Sequence, residues 1–245
     1  MSVLTKLKEC VARRGAGFIV LIDPDKKNDK NIDQCVESAN ENGADALFVG
    51  GSIMMDSLYQ QRVERIKSMA EIPIILFPGG VNQLNNNFDA MLFMSLLSGR
   101  NPHYLIGEQV IAAPIVKDYG IETIPTGYLL IDGGSPTTVE FISGTRPIPS
   151  NRPDIAVSHA LAGQFLGMQL IYLEAGSGAL NKVSEEMINQ VSNEINIGLI
   201  VGGGIRTPED AKSIVEAGAS YVVIGSVLEK STTLITEFSS AIHSS

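Results

Sequence analysis

Glu174 lies in the stretch YLEAGSG (172–178), where two glycines and a serine follow it within four residues. A carboxylate beside nearly bare backbone can take a proton from a ligand hydroxyl while neighbouring amides hold an anionic group. Pairing with a cation such as Arg206 is the alternative. Tyr172 shares a face with Glu174 if the stretch is a strand, and either offers its hydroxyl to a ligand or fills the interior. Asp23 and Asp25 flank Pro24 in LIDPDK. One such carboxylate can hold a hard cation, and Mg2+ takes carboxylate oxygens together with phosphate oxygens and water; Ser52 offers a hydroxyl. The alternative makes Asp25 a turn cap and Asp23 a polar strand end. Gly202, Gly203 and Gly204 precede IRTPEDA, and Gly225-Ser226 closes a later apolar run. Bare amides there can close on a phosphate, or the glycines serve only a tight turn.

These residues need a scaffold that gathers strand ends. Apolar runs recur at 18–23, 46–51, 72–77, 90–94, 121–131, 169–175, 197–202 and 221–226. They are near-continuous, as in parallel strands buried on both faces. Amphipathic stretches separate most of them, including 31–43 and 56–70. Eight such strands predict a (β/α)8 TIM barrel spanning 1–245 as one domain, with a doubly wound open sheet as the alternative. Active sites of such barrels lie at the carboxyl ends of the strands, with phosphate loops after strands seven and eight. Residues 78–89, PGGVNQLNNNFD, do not support a helix, so the third helix is expected to be missing or replaced by a loop. Thr207 reads as an N-cap, Pro208 as the first helical residue and Gly218 as the stop. Residues 132–167 begin as a Pro- and Gly-rich loop, suited to a lid or an assembly surface, and continue as a helix over 155–165.

The formal net charge of −9 argues against a general nucleic-acid binder. No spanning apolar run and no signal-peptide pattern is expected, which fits a cytoplasmic protein. Cys10 and Cys35 read as buried apolar residues. His103, His159 and His243 share no metal-ligand spacing, and His243 is expected to be solvated. No Walker loop occurs and no strand-linked G-x-G-x-x-G.

Seven segments in order, LIDPDK, FVGGS, LFPGGVNQ, LFMSLLSGRNP, YLEAGSGA, VGGGIRTPEDA and VVIGS, resemble the geranylgeranylglyceryl phosphate synthase family. The similarity covers about residues 15–230. Leu21, where the first group of that family carries lysine, and MSLLSGRNP place the resemblance with the second group. It implies a modified barrel that joins a prenyl diphosphate, such as geranylgeranyl diphosphate, to sn-glycerol 1-phosphate in ether-lipid biosynthesis, with Mg2+. By motif match, Asp23 and Ser52 take the magnesium positions; on chemical grounds Glu174 is the candidate catalytic residue, able to accept the proton of the attacking hydroxyl. Tyr172, Leu173, Glu174, Ala175, Gly176, Ser177 and Gly178 take the glycerol-phosphate segment, and Gly203, Gly204, Gly225 and Ser226 the phosphate loops. Many relatives carry asparagine at the position of Ser226. The resemblance further implies a homo-oligomer and leaves transient membrane contact open. Tyr128, Leu129, Tyr104 and Phe93 are either linings for the prenyl tail or buried core, and Arg100 is either a diphosphate ligand or a surface salt-bridge partner. A phosphate-binding isomerase or cyclase, or a non-catalytic barrel binding a phosphorylated metabolite, is the competing reading.

Overall fold

The computed structural model describes residues 1–229 and 231–243. Eight parallel strands close in sequence order: β1 (Gly17–Ile22), β2 (Ala46–Val49), β3 (Ile74–Leu76), β4 (Ala90–Leu96), β5 (Glu122–Leu130), β6 (Leu170–Glu174), β7 (Gly198–Gly202) and β8 (Tyr221–Ile224). β8 pairs with β1 through Gly17↔Tyr221 to Val20↔Ile224, which excludes the open sheet. Strand alternation divides the apolar side chains. Ile19, Phe48, Ile75, Leu170, Tyr172 and Tyr221 fill the barrel interior. Phe18, Val20, Leu47, Leu129, Leu173 and Val222 belong to the layer beneath the helices.

That outer layer is covered by α2 (Ile32–Glu41), α3 (Tyr59–Met69), α4 (Glu108–Tyr119), α6 (Pro153–Phe165), α7 (Glu185–Glu194), α8 (Pro208–Glu216) and α9 (Ile235–His243), while the short α5 (Thr138–Ser143) follows β5. No helix runs between β3 and β4; a three-residue 3-10 turn, Val81–Gln83, stands there. α8 begins with a reciprocal cap: Asp210 N donates to Thr207 Oγ1 at 3.2 Å and Thr207 N to Asp210 Oδ2 at 3.1 Å. None of the described helices is long and apolar enough to cross a membrane.

The amino end of the barrel is stoppered by α1 (Val3–Arg14). Its Val3, Leu4 and Leu7 join the interior cluster, and its first amides donate to the Glu122 carboxylate at 2.6 and 3.0 Å. Beside it the structure corrects one expectation. His243 is not solvated: its Nε2 lies 2.8 Å from Asp45 Oδ2. The same carboxylate accepts from Phe18 N, Arg14 and the buried Cys10 thiol. Burial alone would raise the pKa of Asp45, but these donors hold it below the ordinary carboxylate range. Position in the sequence suggested a free tail; helix α9 instead packs Phe238 and Ile242 into the core and carries His243 with them. Cys35, like Cys10, is buried as expected.

Candidate active site

The carboxyl ends of the strands surround a cavity of about 440 Å³. Glu174, the last residue of β6, sits in its wall, 6% exposed, and its Oε1 accepts from Gly176 N at 2.7 Å. Register pairs it with Gly202 of β7. This explains the run of three glycines. A Cβ on Gly202 would stand 2.5 Å from Tyr172 Oη, and one on Gly203 would collide with Glu174 Oε1 and the Gly176 amide. Gly203 and Gly204 also adopt φ of +81° and +70°, where side chains are strained. The glycines therefore make room for the carboxylate as well as for a ligand.

Among the described residues, Glu174 has no ion-pair partner. Arg206, the alternative read from the sequence, donates to the carbonyls of Ala179 and Leu180 at 2.8 and 3.1 Å. Burial pushes the Glu174 pKa up, and the Tyr172 hydroxyl and Gly176 amide only partly oppose this. The Tyr172 hydroxyl itself is buried, faces Glu174, and lacks a well-aligned hydrogen-bond partner. Both side chains line the cavity.

Gly176, Ser177, Gly203, Gly204, Gly225 and Ser226 converge on the cavity. Ser177 Oγ and Ser226 Oγ are 3.5 Å apart across it. Three residues of the expected segment do not present side chains there. Leu173 and Ala175 turn outward into the core by strand alternation, and Gly178 is not part of the wall. The motif match spans a contiguous segment, whereas a strand offers alternate residues to one face.

On the opposite wall, Asp23 follows β1 and Ser52 follows β2. Asp23 Oδ2 lies 3.2 Å from Lys27 Nζ, while Oδ1 is buried without a hydrogen-bond partner. A Cβ on Gly51 would occupy the space before that oxygen. Burial raises the Asp23 pKa against the pull of Lys27. An unpartnered carboxylate oxygen kept clear by a glycine suits a hard divalent cation. Asp25 does not cap its turn; its Oδ1 accepts from Met55 N at 3.0 Å and fixes the loop after β2. Gln83, from the turn that replaces a helix, ties Gly51 O to Gly79 N at 2.6 and 3.0 Å.

The cavity floor is apolar. Phe77 stacks on Tyr172 at 5.4 Å, and Tyr128 lies 5.5 Å from Tyr172. Phe93 and Tyr104 extend this surface toward α4. Two of the candidates lie outside it. Leu129 faces the helices rather than the cavity, and Arg100 donates to Gly99 O and Leu97 O outside it. Sequence reading also missed Lys27, Glu108, Gln109 and Glu229, all in the wall. Lys27 directly follows the quoted LIDPDK, which ends at Lys26, and could have been found there; the others sit in helical or irregular stretches with no local signature.

A sequence model described as the PcrB family matches residues 9–242. The chain is 46% identical over 226 residues to the geranylgeranylglyceryl phosphate synthase of Chitinophaga pinensis, covering 92% of this chain and 90% of that one. Identity to the synthase of the same name from Thermococcus gammatolerans is 47% over 212 residues, covering 86% and 83%. A crystal structure of (S)-3-O-geranylgeranylglyceryl phosphate synthase from Thermoplasma acidophilum, in complex with its substrate sn-glycerol-1-phosphate, superposes with a TM-score of 0.92 at 35% identity over all of both chains. Alignment over nearly the full length, together with a closed barrel whose glycine loops and buried glutamate share one rim, establishes that the chain belongs to the PcrB family, with the geranylgeranylglyceryl phosphate synthases.

Proposed function

We propose that this protein transfers a prenyl group, geranylgeranyl by the names of its relatives, from its diphosphate to the free hydroxyl of sn-glycerol 1-phosphate. The observation that carries the reading is the buried Glu174, without an ion-pair partner among the described residues, between bare glycine loops and an aromatic, apolar floor. The loops holding Gly176, Gly203, Gly204 and Gly225 bind the phosphate through amides, and the Ser177 and Ser226 hydroxyls add donors. Glu174 accepts the proton as the glycerol oxygen bonds to the first prenyl carbon. The carbon–oxygen bond to diphosphate breaks and its electron pair leaves with diphosphate. Tyr172 orients the attacking hydroxyl. The prenyl tail lies along Phe77, Tyr128, Phe93 and Tyr104. Such general-base assistance contributes about 10²–10⁴-fold, and fixed geometry adds several kcal/mol.

Mg2+ belongs to the proposal. Asp23, with Ser52, would hold it, and it would neutralise charge growing on the departing diphosphate. A cytoplasmic setting is proposed as well, with transient contact to the bilayer that supplies a lipophilic donor. Self-association is the last part of the proposal. It is supported by Val110, Ile111, Ile115 and Tyr119, all exposed along α4, and by Phe141 of α5, 89% exposed.

The test is incubation with labelled glycerol 1-phosphate, geranylgeranyl diphosphate and Mg2+. An organic-soluble phosphate is the expected product; its absence with every prenyl length tried refutes the proposal. A phosphate-binding isomerase or cyclase shares the loops but has no use for the apolar floor.

A further inference from the structure

The cavity poses an electrostatic problem. Its described lining residues include five carboxylates, Asp23, Asp25, Glu108, Glu174 and Glu229, and a single lysine or arginine, Lys27. Yet the proposed reaction brings a phosphate and a diphosphate into it. Glycine amides answer for the phosphate. For the diphosphate, the side-chain cation among the described wall residues is Lys27, and in this structure it is engaged with Asp23 Oδ2 at 3.2 Å.

The surroundings let that lysine move. Lys27 lies in a short 3-10 turn, Lys26–Asn28, and its side chain is 58% exposed. The turn itself is anchored by Asn28, whose Nδ2 donates to Asp23 O at 2.9 Å and to Glu229 Oε1 at 3.2 Å. Asp25 is held by Met55 N. So the backbone is pinned and the lysine stem is not. Asp23 Oδ2 is the atom Lys27 covers, and Oδ1 is the atom left bare.

Resting on the prenyl-transfer reading, we propose that Lys27 is an exchanging counter-ion: it neutralises Asp23 in the unloaded enzyme and swings to the leaving diphosphate when Asp23 takes up a divalent cation. Lys27 thereby offsets the charge of Asp23 in a carboxylate-rich pocket before binding and delivers a positive charge to the diphosphate when one is needed. A hydrogen bond to a charged group is strong enough for the exchange to be read in binding constants.

The exchange predicts two shifts of opposite sign in one variant. In Lys27→Met, Mn2+ titrated alone, followed by its electron paramagnetic resonance, binds about tenfold more tightly, because no ion pair has to open. Inorganic pyrophosphate, titrated calorimetrically at saturating Mg2+, binds about tenfold more weakly. Glycerol 1-phosphate affinity is unchanged. Lys27→Arg, which keeps the charge, restores pyrophosphate binding to within a few-fold. Weakening of both Mn2+ and pyrophosphate would mean that Lys27 only orders the Asp23 turn, and would overturn the exchange. Unchanged pyrophosphate affinity would overturn it too. Neither titration involves turnover. A chain that forms no prenyl ether but shows both shifts contradicts the reaction alone, and a chain that turns over with neither shift contradicts only the exchange.

Discussion

Glu174 concentrates the chemistry because it is an ionisable group that is buried and, among the described residues, has no ion-pair partner. Its raised pKa has two consequences of known sign. The base form is lost as pH falls through the folded-state value, so the acid limb of kcat/KM should lie above the ordinary glutamate range, near 4.3. For stability the direction reverses. A carboxyl whose folded pKa is raised contributes stability that is fully present below its unfolded pKa and lost as pH rises through the folded one. Glu174→Gln should therefore raise the Tm of the unliganded protein at pH 7, with the gain vanishing near pH 4, while cutting kcat about 10²–10⁴-fold with glycerol 1-phosphate affinity nearly kept. Calorimetry and steady-state kinetics on the one variant check both halves. A loss of affinity with kcat unchanged would make Glu174 a ligand rather than a base. At this scale the sequence was informative wherever chemistry and local spacing coincided. Glu174, Asp23 and the glycine loops were legible because a strand end or a turn announces them. Arg100 was misread because its carbonyl partners are set by loop geometry, and Leu173 because motif contiguity hides strand alternation.

The elements explain why those residues meet. Parallel pairing places Glu174 beside Gly202, and barrel closure brings β1 with Asp23 round to β8 and Gly225. The order of strands was readable from apolar rhythm, and the missing helix from the asparagine-rich stretch before β4. What rhythm could not show is how the barrel is sealed at its other end. Asp45, just before β2, gathers Phe18 of β1, Arg14 and Cys10 of α1 and His243 of α9. Four partners distant in sequence converge on one carboxylate, and no local pattern encodes that. Removing a carboxylate that satisfies several buried donors leaves them all unpaired. Asp45→Ala should cost about 2–4 kcal/mol in urea unfolding, with His243→Ala costing less. Because Asp45 is held below its ordinary pKa, its contribution is present above the unfolded value near 3.9 and lost as pH falls through the folded one. A shift below about 0.5 kcal/mol for Asp45→Ala would show the cluster to be incidental.

For the molecule as a whole, the acid excess and the apolar surface answer different questions. With a net charge of −9 and five carboxylates among the described cavity-wall residues, the proposed anionic ligands would rely on backbone amides, Lys27 and a divalent cation. The exposed residues along α4 predict self-association: sedimentation should give a species larger than 26.2 kDa that shrinks when Val110 and Ile111 are both changed to Glu. A monomer in the unaltered protein would contradict that part of the proposal. Neither result bears on which bond the enzyme makes. For that, glycerol 1-phosphate carrying ¹⁸O in its free hydroxyls should be turned over with prenyl diphosphate and Mg2+, and both products analysed by mass spectrometry. Attack by the glycerol oxygen on the prenyl carbon puts the label in the lipid and none in the released diphosphate; label in the diphosphate, or no labelled lipid, would contradict it.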